Sequence, residues 1–320
     1  MKVSILVPIY GVEKYIEQCA ESLFRQTYQN IEYIFVDDCS LDDSVTKLKK
    51  VLACYPEREH QVRIIRHDHN RGLGAARRTA LEASTGEFVL HVDSDDFLSD
   101  DAVEKFVSKQ VETSADIVTG CIRIYRGHEE VENLPLPQED RETILKLLLI
   151  QNTVPHNLCG RLIRKTLFTR NGIFPEEGVN QAEDYAVTPR LFFCAQMIAT
   201  VQDPLYHYQI FSAGSFSDHI SSRHVESVLK ANDLVVSFLG RHDVHKRFRF
   251  AMEIGMLNTY YAAMRVGLTR HEIEDKCHYA PTGIFCGIHH LLSHHSTIKL
   301  LRFSYLSMKW LYKRWLRVSY

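Results

Sequence analysis

The sequence predicts an α/β fold: a mostly parallel sheet flanked by helices, followed by a helical carboxyl-terminal extension. Three observations predict it. Short apolar, β-branched runs alternate with amphipathic stretches through the first part of the chain, which is the pattern of strand, crossover helix and parallel strand. The strand-like runs end abruptly in acids or small polar residues, as they do at the carboxyl edge of an open sheet. From about Arg223 onward only helical periodicities remain.

Val3 to Val7 is a short apolar strand expected to stop at Pro8, because proline cannot donate to a ladder. Val12, Tyr15, Ile16, Cys19, Leu23 and Phe24 recur at helical spacing. Ile31 to Val36 is a second strand ending at Asp37-Asp38-Cys39-Ser40, and a helix follows from Ser44 to Tyr55. Val62 to Ile65 is a third strand, leading into Asn70-Arg71-Gly72-Leu73-Gly74, whose glycines mark tight turns. The alanine-rich stretch Ala75–Ser84 is a helix that opens with Arg77 and Arg78.

Phe88, Val89, Leu90 and Val92 are then β-formers in a short run that ends in Asp93-Ser94-Asp95-Asp96. Such a run reads as a buried parallel strand. Asp93 and Asp95, two residues apart, project to the same side of an extended backbone and suit a hard divalent cation. The same residues also suit a solvated turn leading into a helix capped by Ser99 or Asp100. A helix around Ala102–Thr113 and a strand from Asp116 to Cys121 complete the alternation.

Arg126 to Asp140 is a polar excursion, followed by a helix from Thr143 to Gln151 and a strand entering a short helix over Leu158–Phe168. Ala182-Glu183-Asp184-Tyr185 opens another helix. Met197–Val201 and Leu205–Ile210 resemble two strands before a glycine-serine loop, Ser212 to Ser217. The expected organisation is an α/β domain over residues 1–220, divided into halves at 1–125 and 126–220, and a helical region over 221–320.

Hydrophobic residues make up 45% and charged residues 24% of the 320-residue chain, which suits an ordinary globular protein with a sizeable core. A net charge of -2 excludes a generally basic nucleic-acid binder. The cysteines are scattered with no C-x-x-C pair, so reduced thiols are expected rather than zinc or redox chemistry. No leader and no membrane-length apolar run is visible, giving the expectation of a cytoplasmic protein.

Taken together, Val3-Ser4-Ile5-Leu6-Val7-Pro8-Ile9-Tyr10, Gln26-Thr27-Tyr28-Gln29-Asn30-Ile31-Glu32, Val36-Asp37-Asp38-Cys39-Ser40, Asn70-Arg71-Gly72-Leu73-Gly74-Ala75-Ala76-Arg77, Asp93-Ser94-Asp95-Asp96 and the later Glu183-Asp184 closely resemble family 2 glycosyltransferases with the Rossmann-like GT-A fold. The resemblance covers roughly the first two-thirds of the chain. It implies inverting transfer of a hexosyl or N-acetylhexosaminyl group from a nucleotide-sugar, of the UDP type, to a glycan or lipid-linked glycan in bacterial surface-polysaccharide synthesis. It further implies that Pro8 and Tyr10 hold the nucleotide, that Asp38 or Asp37 accepts from a uracil-type imide, and that Arg77 reaches the diphosphate. Asp93 would serve the ribose or the metal indirectly, Asp95 would coordinate Mn²⁺ or Mg²⁺, and Asp184 would be the general base. A sugar nucleotidyltransferase or a non-catalytic sugar-nucleotide-binding subunit are the alternatives; the first lacks its glycine-rich, lysine-containing loop after Val7.

Two departures from the family pattern matter. Cys39 stands where glycine is frequent, from which the turn is expected not to demand positive φ. The Gln-x-x-Arg-Trp motif of processive members is missing, since Arg314-Trp315 follows Leu311 and comes far too late, so a single sugar is expected to be added. His207 and His219 are read as surface histidines, and the His289-His290 and His294-His295 pairs receive no role. In the tail, Ile298, Leu301, Tyr305, Met308, Tyr312 and Trp315 recur at spacings of three and four among basic residues. Residues 297–320 therefore suit a membrane surface, at the inner face of the cell membrane, as well as the catalytic domain or another subunit in a homo-oligomer.

Overall fold

The computed structural model describes residues 1–127, 129–134, 139–210, 222–242, 245–292 and 298–316. The chain divides into two compact units. The first comprises Met1–Leu136, Asn157–Gly178 and Cys194–Ser215, and the second Pro137–His156, Val179–Phe193 and Phe216–Tyr320. The linear division at residue 220 is therefore replaced by an interleaved one, because residues 137–156 and 179–193 pack with the carboxyl-terminal helices.

The first unit holds the sheet. Its strands are β1 (Val3–Ile9), β2 (Ile31–Asp37), β3 (Val62–Arg66), β4 (Phe88–His91), β5 (Phe97–Leu98), β6 (Ile117–Arg126), β7 (Glu129–Leu134), β8 (Arg161–Arg164) and β9 (Ile198–Ile210). Their order is β3-β2-β1-β4-β8-β6-β9-β5, with β7 beside β6. β3, β2, β1 and β4 are parallel, and β8 runs antiparallel to both β4 and β6.

The register aligns the ends of the parallel strands: Ile9 lies opposite Asp37, and Asp37 opposite Arg66. Pairing of β1 with β4 stops at Leu6 and His91, so Pro8 has β2 alone as a neighbour. That is why β1 runs through Pro8 to Ile9 instead of ending there: a proline is tolerated where one side of the strand needs no donor.

Helices α1 (Ile16–Phe24), α2 (Ser44–Leu52), α3 (Leu73–Ala83) and α4 (Ala102–Thr113) follow β1, β2, β3 and β5. The buried stripe of α1 is Ile16, Cys19, Ala20, Leu23 and Phe24, as its periodicity requires. Phe24 meets Tyr33 edge-on at 5.3 Å and Phe35 at 6.2 Å. Three differences from the sequence expectation concern strands. β5 follows the acids directly, β7 forms within the polar excursion, and the two expected late strands are one, β9, with register shifts near Gly120 and Cys121. Hairpin partners and bulges are long-range facts, invisible to local periodicity.

The second unit is helical: α5 (Arg141–Ile150), α7 (Glu183–Cys194, whose last residue falls in the first unit), α8 (Ser222–Arg241), α9 (His245–Arg265), α10 (Arg270–Cys277), α11 (Gly283–Leu292) and α12 (Ile298–Trp315); α6 (Lys165–Asn171) follows β8 in the first unit. Gly255 brings α9 against the end of α5, where a Cβ would collide with the Leu149 carbonyl oxygen. Just beyond α5, the buried Gln151 amide donates to Asn232 Oδ1 at 3.0 Å and Thr259 Oγ1 at 3.2 Å, and accepts from Asn258 Nδ2 at 3.1 Å. This polar knot satisfies groups that would otherwise be costly to bury. Among the described residues no helix is long and apolar enough to cross a membrane.

Candidate functional site

Because β1, β2, β3 and β4 are parallel and in register, the loops beyond them gather at one sheet edge. That edge carries Tyr10, Asp37, Asp38, the Asn70–Arg77 segment and Asp93–Asp96. Tyr10, directly beyond β1, is 53% exposed and so is available to a ligand, whereas Pro8 is buried in the strand.

The centre of the edge is an ion pair. Arg77 Nη2 donates to Asp93 Oδ1 at 2.8 Å, and Arg77 is 1% exposed. The guanidinium also approaches Cys159 Sγ at 3.8 Å. Burial alone would raise the Asp93 carboxyl, but Arg77 outweighs it and holds Asp93 below the ordinary carboxylate range. His91, fully buried at the end of β4, is pushed down to about 3 by burial and by Arg77, so it is neutral beneath the pair.

Asp96 faces inward. The Tyr206 hydroxyl, from β9, donates to Asp96 Oδ2 at 2.5 Å and accepts from the Asp93 N–H at 3.1 Å, while Gln209 N–H donates to Asp96 Oδ1 at 2.9 Å. Burial, then Asp95 and Asp93, push the Asp96 carboxyl well up. The acids are thus not an open solvated turn: Asp93 and Asp96 are tied into the sheet.

Asp95 is different. It is half-buried, and among the described residues no other side chain donates a hydrogen bond to it. Burial and the neighbouring Asp93 raise it to about 6. Arg77 offsets only part of this, and a carboxylate so placed is what a divalent cation relieves, so the donor set fits Mn²⁺ or Mg²⁺. No group of three or more His, Cys, Asp or Glu side chains among the described residues forms a cage by itself. Oxygens from a bound diphosphate would therefore have to complete the coordination shell.

Asp38 is buried and already holds three donors. Its Oδ1 accepts from His67 Nδ1 at 2.7 Å and Arg71 N–H at 2.9 Å, and its Oδ2 accepts from Gly72 N–H at 2.7 Å. His67 Nε2 meets Thr79 Oγ1 at 2.9 Å. Asp38 therefore fastens β2 to the start of α3, and with about four acceptor sites on a carboxylate it retains little capacity for a ligand. Asp37 accepts from Ser40 N–H at 2.8 Å and stands 3.4 Å from Arg66 Nε.

Between them Cys39 has φ +63°, so the expectation that this turn avoids positive φ is corrected. The chain takes the left-handed form to turn the Asp37 carboxylate back onto Ser40 N–H, and a cysteine occupies it where glycine would be unstrained. His207 is also corrected. It is buried, stacks on Phe97 with centroids 4.5 Å apart, meets Ser99 Oγ at 2.8 Å, and is pushed down to about 4 by burial and then by Arg123. Arg78, by contrast with the buried Arg77, lies outward, bound to Glu82 at 2.9 Å.

Asp184 belongs to the second unit, partly buried in the first turn of α7 beside Glu183 and after Ala182 at φ +59°. His219, the Ser212–Ser217 loop and the His294-His295 pair lie outside the described residues, as do the side chains of His289 and His290. Sequence reasoning missed His67 and Tyr206. His67 had an acidic neighbour, Asp68, but binds Asp38 instead, and Tyr206 meets Asp96 from 110 residues away with no local signal.

Strand-end carboxylates, a buried arginine and a helix start share one parallel sheet edge, the place where open α/β folds bind their ligands. The family model described as Glycosyl transferase family 2 matches residues 4–171, more than half of the chain, and the protein belongs to that family. Glycosyltransferase GlyG of Streptococcus pneumoniae is 28% identical over 220 residues, 65% of this chain and 70% of its own length. The poly(ribitol-phosphate) beta-N-acetylglucosaminyltransferase TarS of Staphylococcus aureus is 26% identical over 270 residues, 83% of this chain but 45% of its own length. The solved structure of TarS 1-349 in complex with UDP-GlcNAc has a TM-score of 0.60 at 21% identity, covering 83% of each chain. A mannosyltransferase from Pyrobaculum calidifontis, solved with GDP-Man and Mn²⁺, has a TM-score of 0.55 at 15% identity, covering 99% of this chain and 88% of that one. At these identities the structures establish a shared fold.

Proposed function

We propose that this protein transfers a single sugar, with inversion, from a UDP-sugar to a glycan or lipid-linked glycan acceptor of a bacterial surface polysaccharide, in the cytoplasm. The observation that carries the reading is the only partly compensated Asp95 carboxylate beside the Arg77–Asp93 pair at the edge of a family 2 sheet. That TarS was solved with UDP-GlcNAc supports a UDP-sugar of hexosyl or N-acetylhexosaminyl type.

In this reading Tyr10 packs on the base, Pro8 lies in the end of β1 that leads to it, and Asp38 or Asp37 faces the imide. Asp38 acts largely by holding Arg71 and Gly72 so that the α3 start, including Arg77, faces the diphosphate. Asp93 holds the ribose, oriented by Arg77. Asp95 holds the Mn²⁺ or Mg²⁺, which when bound would neutralise charge on the departing nucleoside diphosphate. Asp184 removes the proton from the acceptor hydroxyl as its oxygen attacks the anomeric carbon from the face opposite the leaving group.

The test is a nucleotide-sugar panel with Mn²⁺, reading nucleoside diphosphate release with and without saccharide acceptors. UDP release from one donor, lost in Asp95→Asn, is the expected result. Asp184→Asn should keep donor-induced thermal stabilisation and lose transfer by about 100- to 10,000-fold. Pyrophosphate release, or full transfer by Asp184→Asn, would overturn the reaction or its base respectively.

A further inference from the structure

Helix α12 has two faces with different fates. Leu301, Tyr305 and Tyr312 are buried at 1%, 3% and 8% exposure. Tyr305 donates to the Gln151 carbonyl at 2.8 Å, and Tyr312 meets Phe250 of α9 at 5.2 Å. Three residues of the stripe that the sequence offers to a membrane are thus consumed in holding α12 to its own unit.

The remaining surface of the helix is open. Leu300, Phe303, Leu306, Trp310, Leu311 and Trp315 are between 48% and 69% exposed, and they include both tryptophans of the chain. Single exposed apolar side chains are ordinary, but this many along one 18-residue helix form a patch. Lys299, Arg302 and Arg314 are exposed among them, with the Arg314 guanidinium 5.5 Å from the Trp310 ring centroid. The helix contains no acid, and none follows Asp275 in the sequence.

We propose that this outer face of α12 seats the protein on an anionic membrane surface, the helix lying in the plane of the interface. Aromatic and aliphatic side chains interleaved with guanidinium and ammonium groups suit the headgroup boundary, where rings enter the apolar layer and cations meet lipid phosphates. A second copy is the poorer occupant. Two-fold pairing of this face brings a cationic patch against its own copy, with no acid on the helix to offset it. An anionic surface supplies the missing charge and the apolar layer together.

The full chain is floated with vesicles of phosphatidylcholine and with vesicles of phosphatidylcholine mixed with phosphatidylglycerol. Binding to the anionic vesicles, at least about tenfold above the neutral ones and weakened by salt, is expected. Phe303→Ser with Trp310→Ser should reduce it about tenfold or more, and Arg302→Gln with Arg314→Gln should remove the preference for anionic lipid. Leu300→Ser with Leu306→Ser is a second outward pair, used if the first fails to keep wild-type helicity. Equal flotation of wild type and the folded variants overturns the proposal. So does a concentration-dependent dimer in light scattering that these variants abolish without any flotation, which would make the occupant a second copy.

Discussion

Replacing Arg77 by methionine tests the electrostatic core of the site. The substitution keeps an apolar stem of similar length but leaves Asp93 without the guanidinium that stands 2.8 Å away. Removing one partner of a buried pair costs about 3–5 kcal/mol. The Asp93 side chain keeps 26% of its exposure, so water recovers part of that loss and about 2–3 kcal/mol is expected. Both tryptophans lie in the second unit, so hydrogen exchange of β1 and β4 amides is the better probe. A loss of that size is about 30- to 150-fold faster exchange where opening is global.

The sign with pH follows from the pair. Arg77 depresses the Asp93 carboxyl, so its contribution is present at pH values above the ordinary carboxylate range and is lost as pH falls through the depressed value. Without Arg77, burial and the neighbouring acids raise Asp93 instead. The deficit of Arg77→Met should therefore be largest at pH 7–8 and narrow toward about pH 4. Adding Asp93→Asn removes the stranded charge and should restore most of the protection while donor-induced stabilisation stays absent. Wild-type exchange in Arg77→Met, or no recovery in the double variant, would refute the reasoning.

Asp95→Asn, measured in chelator, should stabilise the fold above pH 6 by at most about 3 kcal/mol, since a carboxyl raised to about 6 makes folding less favourable as pH rises through that value; urea unfolding should show the gain at pH 8 and lose it by pH 4. Tyr206→Phe strands Asp96 Oδ2 and the Asp93 N–H and should cost about 1–3 kcal/mol in the same assay. At Cys39, with φ +63°, glycine should be neutral or stabilising by up to about 1 kcal/mol. Valine there should destabilise by about 1–3 kcal/mol, and thermal melts separate the two.

Much of the candidate site's sheet edge was legible because its signals are local. An apolar run followed by Asp93-Ser94-Asp95-Asp96 needs only the chain's own order to be read as a strand and its carboxyl end. What the acids do to one another was not legible. Asp96 is turned inward by Tyr206, which depends on β9 pairing with β5 and β6, and Asp95 is only partly offset by Arg77 from α3. Likewise the spacing of Leu301, Tyr305 and Tyr312 marked an apolar stripe, but not whether a membrane, another subunit or the protein's own helices cover it.

The sequence by itself determined the strand and helix alternation, the alignment of polar clusters at one sheet edge and membership of the glycosyltransferase family, because periodicity and motif order are properties of neighbouring residues. Only the tertiary structure decided that Asp38 is spent on Arg71, Gly72 and His67, that Cys39 is left-handed, that residues 137–156 and 179–193 join the helical unit, and that α12 turns its tryptophans outward. Each of these is set by partners far away in the chain, and the burial and hydrogen bonding that fix them exist only once the chain has closed on itself.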